Sequence, residues 1–90
     1  MPESSEAEIT LSGDLHARPA GMLAVAAAGF ASAVQIVLGD ASVDAKSVLL
    51  VMGLGASNGQ RVLVRATGPD ASQAVATLIE ILAAATPVGG

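Results

Sequence analysis

A histidine and an arginine, His16 and Arg18, stand two positions apart in the string His-Ala-Arg-Pro-Ala. Pro19 fits the first turn of a helix, because backbone N–H groups there have no intrahelical acceptor. His16 then lies at the N-cap, where free N–H groups and the helix dipole bind anions. An imidazole at this point can carry a phosphoryl group reversibly, and the Arg18 guanidinium can hold the phosphoryl oxygens. These residues predict a site that accepts and releases a phosphoryl group.

A plainer interpretation of the same residues stays open: His16 only caps the helix, and Arg18 is a solvated surface charge. The chain shows no nucleotide-binding loop and no evident metal carboxylates. A carrier of this kind would therefore need partners that supply and remove the phosphoryl group. An independent small-molecule enzyme has little support, because Asp14 is the only other acid–base residue near His16.

Composition excludes several classes of function. The 90 residues include no cysteine and one histidine, so we expect no disulfide, no metal site and no cofactor. Four basic residues and a single aromatic residue, Phe30, exclude nucleic acid as a partner. The longest apolar stretch, Met22–Ala28, is far shorter than the roughly 20 residues of a transmembrane helix, so we expect no membrane insertion. The acidic start Met1–Glu6 does not read as a secretory signal, which favours a cytoplasmic location.

Periodic patterns predict seven elements in one domain. Alternating apolar residues predict strands near residues 7–12, 34–38, 41–44 and 60–67, and helical spacing predicts helices over 17–30, over 47–54 and after Asp70. Gln73 lies where it would complete a capping box with Asp70. The order strand, helix, strand, strand, helix, strand, helix favours an α+β two-layer sandwich with a four-stranded, mainly antiparallel sheet.

We expect a disordered extension over residues 1–6, a domain over 7–85 and a flexible tail over 86–90. The residues expected to be plain core are Met22, Phe30, Val75 and Leu78, together with Ala74, Ile81 and Leu82 of the last helix.

Three segments together resemble the HPr family, the histidine phosphocarriers of the bacterial phosphoenolpyruvate-dependent phosphotransferase system. They are Gly13–Ala20, Asp44–Ser47 and Val51–Gly55, and the resemblance extends with element order and spacing over roughly residues 7–85. It implies an open-faced two-layer sandwich of order βαββαβα with three helices on one face of the sheet. It also implies a transiently phosphorylated carrier, not an enzyme with its own substrate.

The resemblance assigns roles by position. His16 matches the histidine that enzyme I phosphorylates on Nδ1 and that passes the group to sugar-specific IIA proteins. Arg18 matches the arginine beside it, and the backbone N–H of Ala17 is expected to contact the phosphoryl group. Ser47 matches the serine that an HPr kinase/phosphorylase modifies in many Gram-positive bacteria. From the residues alone Ser47 is also a plain helix N-cap, and both roles stay open. Lys46 is interpreted as a surface charge.

Three apolar residues match the docking patch of the family: Val48, Leu49 and Met52. Their spacings of three and four put them on one face of the short helix. Since so short a helix cannot bury all its apolar residues, we expect Leu49 and Met52 to contact partners.

Two departures from the family affect recognition. Asp14 stands where the family usually has glycine, and its carboxylate is expected either to repel an incoming phosphoryl group or to turn away and cap another group. The stretch Gly21–Ala33 carries no charge, whereas the family commonly places basic residues there. Recognition would then depend on Arg18, Lys46 and apolar contact, with weak electrostatic steering.

An alternative function is a binding module of the same fold that carries no phosphoryl group and acts through Ser47 and the apolar short helix. Phosphorylation of His16 by enzyme I distinguishes the two. The sequence leaves open which sugar or regulatory pathway lies downstream and what the oligomeric state is.

Overall fold

The computed structural model describes residues 3–85. It contains seven elements in the predicted order βαββαβα. They are β1 (Glu3–Thr10), α1 (Ala17–Ala28), β2 (Ala33–Leu38), β3 (Ala41–Asp44), α2 (Val48–Gly53), β4 (Arg61–Gly68) and α3 (Ala71–Ala85).

The four strands form one antiparallel sheet in the spatial order β1-β4-β2-β3. Helices cover one face, with α3 packed along β1 and β4 and α1 packed against α3 and α2. The other face is open and carries polar residues, including Arg61 within 3.9 Å of Glu8 and Arg65 hydrogen-bonded to Gln35. This architecture confirms the predicted open-faced sandwich.

The apolar side chains whose alternation predicted the strands also form part of the core. Val62, Val64 and Ala66 of β4 point to the helices and are fully buried, as are Val34 and Ile36 of β2. The helices contribute side chains spaced three and four apart, because that spacing makes one apolar face. The largest of these are Leu23 of α1, Val51 of α2 and Leu78 and Leu82 of α3.

The start of β1 corrects the sequence analysis. The strand begins at Glu3, where residues 1–6 were expected to be disordered, and Glu3–Glu6 pair with Gly68–Arg65 of β4. The reason is that β4 extends to Gly68 and offers backbone partners to a polar segment whose side chains remain at the surface. Met1 and Pro2, and the predicted tail over residues 86–90, lie outside the described residues.

The predicted core is corrected at Met22. Val75 and Leu78 are buried as predicted, and Phe30 and Ile81 are half-buried against the core. Met22 is 45% exposed, because the buried stripe of α1 contains its helical neighbour Leu23 and leaves Met22 beside the stripe.

The capping box predicted for α3 is replaced by a contact across the fold. The Asp70 N–H, which the Gln73 side chain would bind, donates instead to the Ser32 hydroxyl at 3.2 Å. The Asp70 carboxylate in turn accepts from the Ser32 hydroxyl and from the N–H groups of Ser32 and Ala31. These hydrogen bonds, that of the Ser32 hydroxyl above all, hold the pKa of Asp70 below its usual value.

Gly68 makes the close approach at this junction possible. Its φ is +146°, and a Cβ built on it would lie 2.6 Å from the Ser32 Cα. Only glycine fits there, so the end of β4 and the loop before β2 pack backbone to backbone.

None of the described helices is long and apolar enough to cross a membrane.

Candidate functional site

His16 is the N-cap of α1, as the sequence predicts. Its backbone is extended (φ −78°, ψ −175°), and its carbonyl accepts the Ala20 N–H that closes the first turn. The preceding residue, Leu15, is buried and donates its N–H to the Ala56 carbonyl at 3.0 Å. Leu15 thus fixes the loop to the core, while the His16 side chain stays 79% exposed. The imidazole is held at the surface by a rigid support.

The first turn of α1 leaves donors free beside the imidazole. Ala17 and Arg18 are the first helical residues, and within residues 3–85 their N–H groups have no hydrogen-bond acceptor. Pro19 follows as a buried residue that has no N–H to satisfy. An anion at His16 would therefore meet two backbone donors and the positive end of the helix dipole.

Arg18 adds an exposed positive charge to the first turn of α1. Its side chain is exposed and forms no ion pair with any residue in the described part of the chain. It lies at the rim of an apolar groove formed with Gly21, Met22 and Ile81, among others. Its guanidinium is therefore available to bind phosphoryl oxygens.

Asp14 touches the imidazole and is itself held in place. Its Oδ1 accepts the Asn58 N–H at 2.8 Å, and its Oδ2 lies 3.6 Å from Nε2 of His16. The carboxylate therefore caps the Asn58 turn, as one of the two expectations has it, and it also faces the histidine. Repulsion of a phosphoryl group by Asp14 stays a prediction. Asn58 was recognised in the sequence only as part of a turn, and nothing in the sequence links it to Asp14, 44 positions away.

A shallow, open depression of about 280 Å³ surrounds the imidazole. Met52, near the end of α2, forms one wall, and the turn that follows forms another. The lining residues are Asp14, Leu15, His16, Ala17, Met52, Gly55, Ala56 and Ser57. The structure thus brings together the start of α1 and the end of α2.

Ser47 lies at the opposite end of α2 from Met52. It is the N-cap of that helix, and its Oγ accepts the Leu50 N–H at 3.2 Å, which confirms the predicted cap. Six helical residues separate it from the end of the helix, a length of about 9 Å. Ser47 is therefore not among the residues that line the depression at His16. Lys46, just before it, is exposed and donates Nζ–H to the Phe30 carbonyl at 3.4 Å, beyond the end of α1.

The predicted apolar patch is mostly at the surface. Leu49 is 81% exposed and Met52 is 40% exposed, whereas Val48 is half-buried against the core. Leu50 and Val25, which the sequence did not single out, are also at the surface, 50% and 78% exposed. The helical pattern of Val25 could have indicated its exposure, because it lies two positions after buried Leu23.

Across residues 3–85, no three histidine, aspartate or glutamate side chains are grouped so that they could hold a metal ion.

Comparison with known proteins identifies the family. The family model PTS-HPr, described as "PTS HPr component phosphorylation site", matches residues 3–84. The chain belongs to the HPr family. It is therefore a phosphocarrier protein of the phosphotransferase system and not a catalytic enzyme. This assignment favours the carrier over the binding module that the sequence left as an alternative.

Individual HPr proteins agree with this assignment in sequence and in structure. The chain is 38% identical over 61 residues to the phosphocarrier protein HPr of Mycoplasma capricolum, covering 68% of each chain. The solved structure of a Mycoplasma histidine-containing phosphocarrier protein superposes with a TM-score of 0.82 at 31% identity, covering 98% of this chain and 100% of that one. HPr of Thermoanaerobacter tengcongensis gives a TM-score of 0.78 at 32% identity, covering 90% and 91%.

A larger relative contains a similar segment. The chain is 39% identical over 71 residues to the multiphosphoryl transfer protein of Xanthomonas campestris, which is 79% of this chain and 8% of that protein. An HPr-like segment thus also occurs within a much longer phosphotransfer protein.

Proposed function

We propose that His16 accepts a phosphoryl group from enzyme I and passes it to IIA components, in a cytoplasmic carrier that serves sugar uptake or regulation. The observation that carries the proposal is the exposed imidazole at the N-cap of α1, beside the free N–H groups of Ala17 and Arg18. Membership of the HPr family supports the same chemistry.

This chain contributes the nucleophile and the groups that bind the phosphoryl oxygens, and its partners contribute the phosphoryl donor and the acceptor. The lone pair of Nδ1 attacks the phosphorus of the donor, and the bond from phosphorus to the donor atom breaks. The N–H groups of Ala17 and Arg18, together with the Arg18 guanidinium, would bind the phosphoryl oxygens as the new bond forms. In the second half of the cycle an acceptor nucleophile takes the phosphorus and the Nδ1–P bond breaks. The open depression allows a donor or acceptor on another protein to approach the imidazole in line.

Partner docking is assigned to the apolar side chains of α2. Leu49 and Met52 are exposed, and Met52 also lines the depression at His16. Val48 contributes from the half-buried side of the helix, and exposed Leu50 extends the surface. Burial of these side chains against enzyme I or a IIA protein would hold its reactive group over His16.

Ser47 is proposed as a regulatory site for an HPr kinase/phosphorylase. Its hydroxyl is half-buried at the N-cap of α2, followed within three residues by exposed Leu49 and Leu50. A phosphate there keeps a favourable position at the helix N-terminus and adds about two negative charges beside the apolar docking side chains. Such a charge would weaken apolar docking without touching His16.

Phosphorylation by enzyme I tests the carrier function. The chain is incubated with enzyme I, Mg²⁺ and phosphoenolpyruvate, and its intact mass is measured in a non-acidic buffer. We expect one acid-labile phosphoryl group on the wild-type chain and none on His16→Ala. If a folded chain gains none from an enzyme I that charges another HPr, the proposed function is wrong.

A further inference from the structure

The carboxylate of Asp14 is held against one particular nitrogen of the imidazole. Oδ1 accepts the Asn58 N–H at 2.8 Å, and Oδ2 lies 3.6 Å from Nε2 of His16. The backbone reinforces this arrangement, because the Asp14 carbonyl accepts the His16 N–H at 3.0 Å. Among residues 3–85 no group is hydrogen-bonded to the other ring nitrogen, Nδ1.

We propose that Asp14 is a positioning residue that keeps the proton of His16 on Nε2 and so leaves the lone pair of Nδ1 free for the phosphoryl group. This proposal rests on the proposed function. A neutral imidazole carries one N–H, and the nitrogen that faces a carboxylate is the one that keeps it. Among the described residues that line the depression, Asp14 is the only one with a carboxylate, ammonium or guanidinium group, and Arg18 is the nearest other charge along the chain.

The proton on Nε2 matters in both halves of the cycle. When Nδ1 attacks phosphorus, a P–Nδ1 bond forms, the donor bond breaks, and the ring becomes a phosphoimidazolium cation that still carries Nε2–H. When the group leaves, the P–Nδ1 electron pair returns to Nδ1, and the leaving group is neutral imidazole. Without the Nε2 proton the leaving group would be an imidazolate anion, which is far poorer. The nitrogen that Asp14 faces is therefore the one whose proton makes the ring a good leaving group.

This geometry also explains how a carboxylate can be tolerated next to a phosphoryl site. One carboxylate oxygen of Asp14 accepts the Asn58 N–H, and the other faces Nε2, the ring nitrogen that does not carry phosphorus. The phosphoryl oxygens are met instead by the N–H groups of Ala17 and Arg18. Attraction to the cationic ring and repulsion of the phosphoryl group therefore act at different atoms.

The test compares Asp14→Asn with Asp40→Asn. An asparagine at 14 keeps an oxygen for the Asn58 N–H, so the loop retains its support, and it removes only the charge facing Nε2. Asp40, exposed in the turn between β2 and β3, gives the same change of net charge away from His16. The ¹⁵N shifts of the His16 ring report its tautomer before phosphorylation. The rate of phosphoryl transfer from each phosphorylated chain to a IIA protein is then measured against pH.

We expect wild type and Asp40→Asn to hold the proton on Nε2, and Asp14→Asn to shift towards the other tautomer. Over the pH range measured, Asp14→Asn should transfer its phosphoryl group roughly two- to fivefold more slowly than wild type, the range for an exposed ion pair. Asp14→Glu, which restores the charge, should recover most of the rate.

Other outcomes separate the two proposals. If Asp14→Asn is phosphorylated on His16 with the tautomer and pH profile of wild type, the role of Asp14 is wrong and the carrier function stands. Equal losses in the Asn and Glu variants would assign the effect to loop structure and also overturn it. If the wild-type chain is not phosphorylated at all, the carrier function fails, and this proposal fails with it.

Discussion

Two residues of opposite charge, Asp14 and Arg18, lie two positions before and two positions after His16 in the chain, and their surroundings differ. Asp14 faces Nε2 and is tied to Asn58. Arg18, in the first turn of α1, forms no ion pair among the described residues. We propose that Asp14 acts on the ring and that Arg18 acts on the phosphoryl oxygens.

Replacing Arg18 should therefore slow transfer without unfolding the chain. Arg18→Gln removes a charged donor to the phosphoryl group, and we expect transfer from enzyme I to fall roughly 10- to 100-fold, the usual range for a charge-assisted hydrogen bond. Rapid-quench measurement of phosphoryl transfer gives the rate. Arg61→Gln, on the open face of the sheet, is the matched control. Equal rates for both variants would contradict the assigned role.

At the scale of elements, the site exists because the start of α1 meets the end of α2. The fold holds the other end of α1 through the loop that leads to β2. There the Asp70 carboxylate, at the start of α3, accepts three hydrogen bonds from Ala31 and Ser32. These contacts join α1, β2 and α3 at a single junction, so the position of α1 depends on a carboxylate remote from His16.

This junction predicts how stability depends on acid. The pKa of Asp70 is lowered in the folded chain, and in the unfolded chain it is about 3.9. Its contribution to stability is therefore fully present above about pH 4 and is lost as the pH falls through the lowered pKa of the folded state. Asp70→Asn should unfold at lower urea concentration than wild type at pH 7, and the difference should shrink below about pH 4.

Urea unfolding at several pH values measures this effect. Asp40→Asn, which alters an exposed turn residue, should follow the wild-type curve throughout. A constant difference between Asp70→Asn and wild type from pH 7 down to about pH 2 would show that the Asp70 charge does not stabilise the junction.

At the scale of the whole molecule, the surface assigned to docking carries few charges. The chain carries a net charge of −4 with four basic residues, and two of these, Arg61 and Arg65, lie on the open face of the sheet. Five large apolar side chains of α1 and α2 are also exposed. They are Met22, Val25, Leu49, Leu50 and Met52. Partner binding should therefore depend on apolar burial more than on charge.

Phosphoryl transfer from enzyme I should accordingly respond weakly to salt. Between about 0.05 M and 0.5 M NaCl we expect the second-order rate constant to change by less than about threefold, because screening acts on few charges at the interface. Stopped-flow or rapid-quench kinetics give the constant, and autophosphorylation of enzyme I over the same range is the control. A decrease of about tenfold or more would mean that Arg18 or Lys46 steers the encounter.

Residues close together in the sequence determined the order of the elements and the starts of two helices. Periodicity gave all seven elements in order, and proline and serine placed the starts of α1 and α2, so that His16 and Ser47 were recognised as caps. These features depend on residues within one or two turns of each other, which is why they can be deduced from the sequence. The His-Ala-Arg-Pro-Ala string then indicated the family.

Only the tertiary structure decided the contacts between distant segments. Glu3–Glu6 form a strand because β4 lies beside them, and the Asp14 carboxylate accepts the N–H of Asn58, 44 positions away in the chain. Asp70 is hydrogen-bonded to Ser32, 38 positions away, and its N–H does not bond to the Gln73 side chain as the capping box predicted. In each case a polar group had several possible partners nearby, and the packing of the core determined which of them came within hydrogen-bond distance.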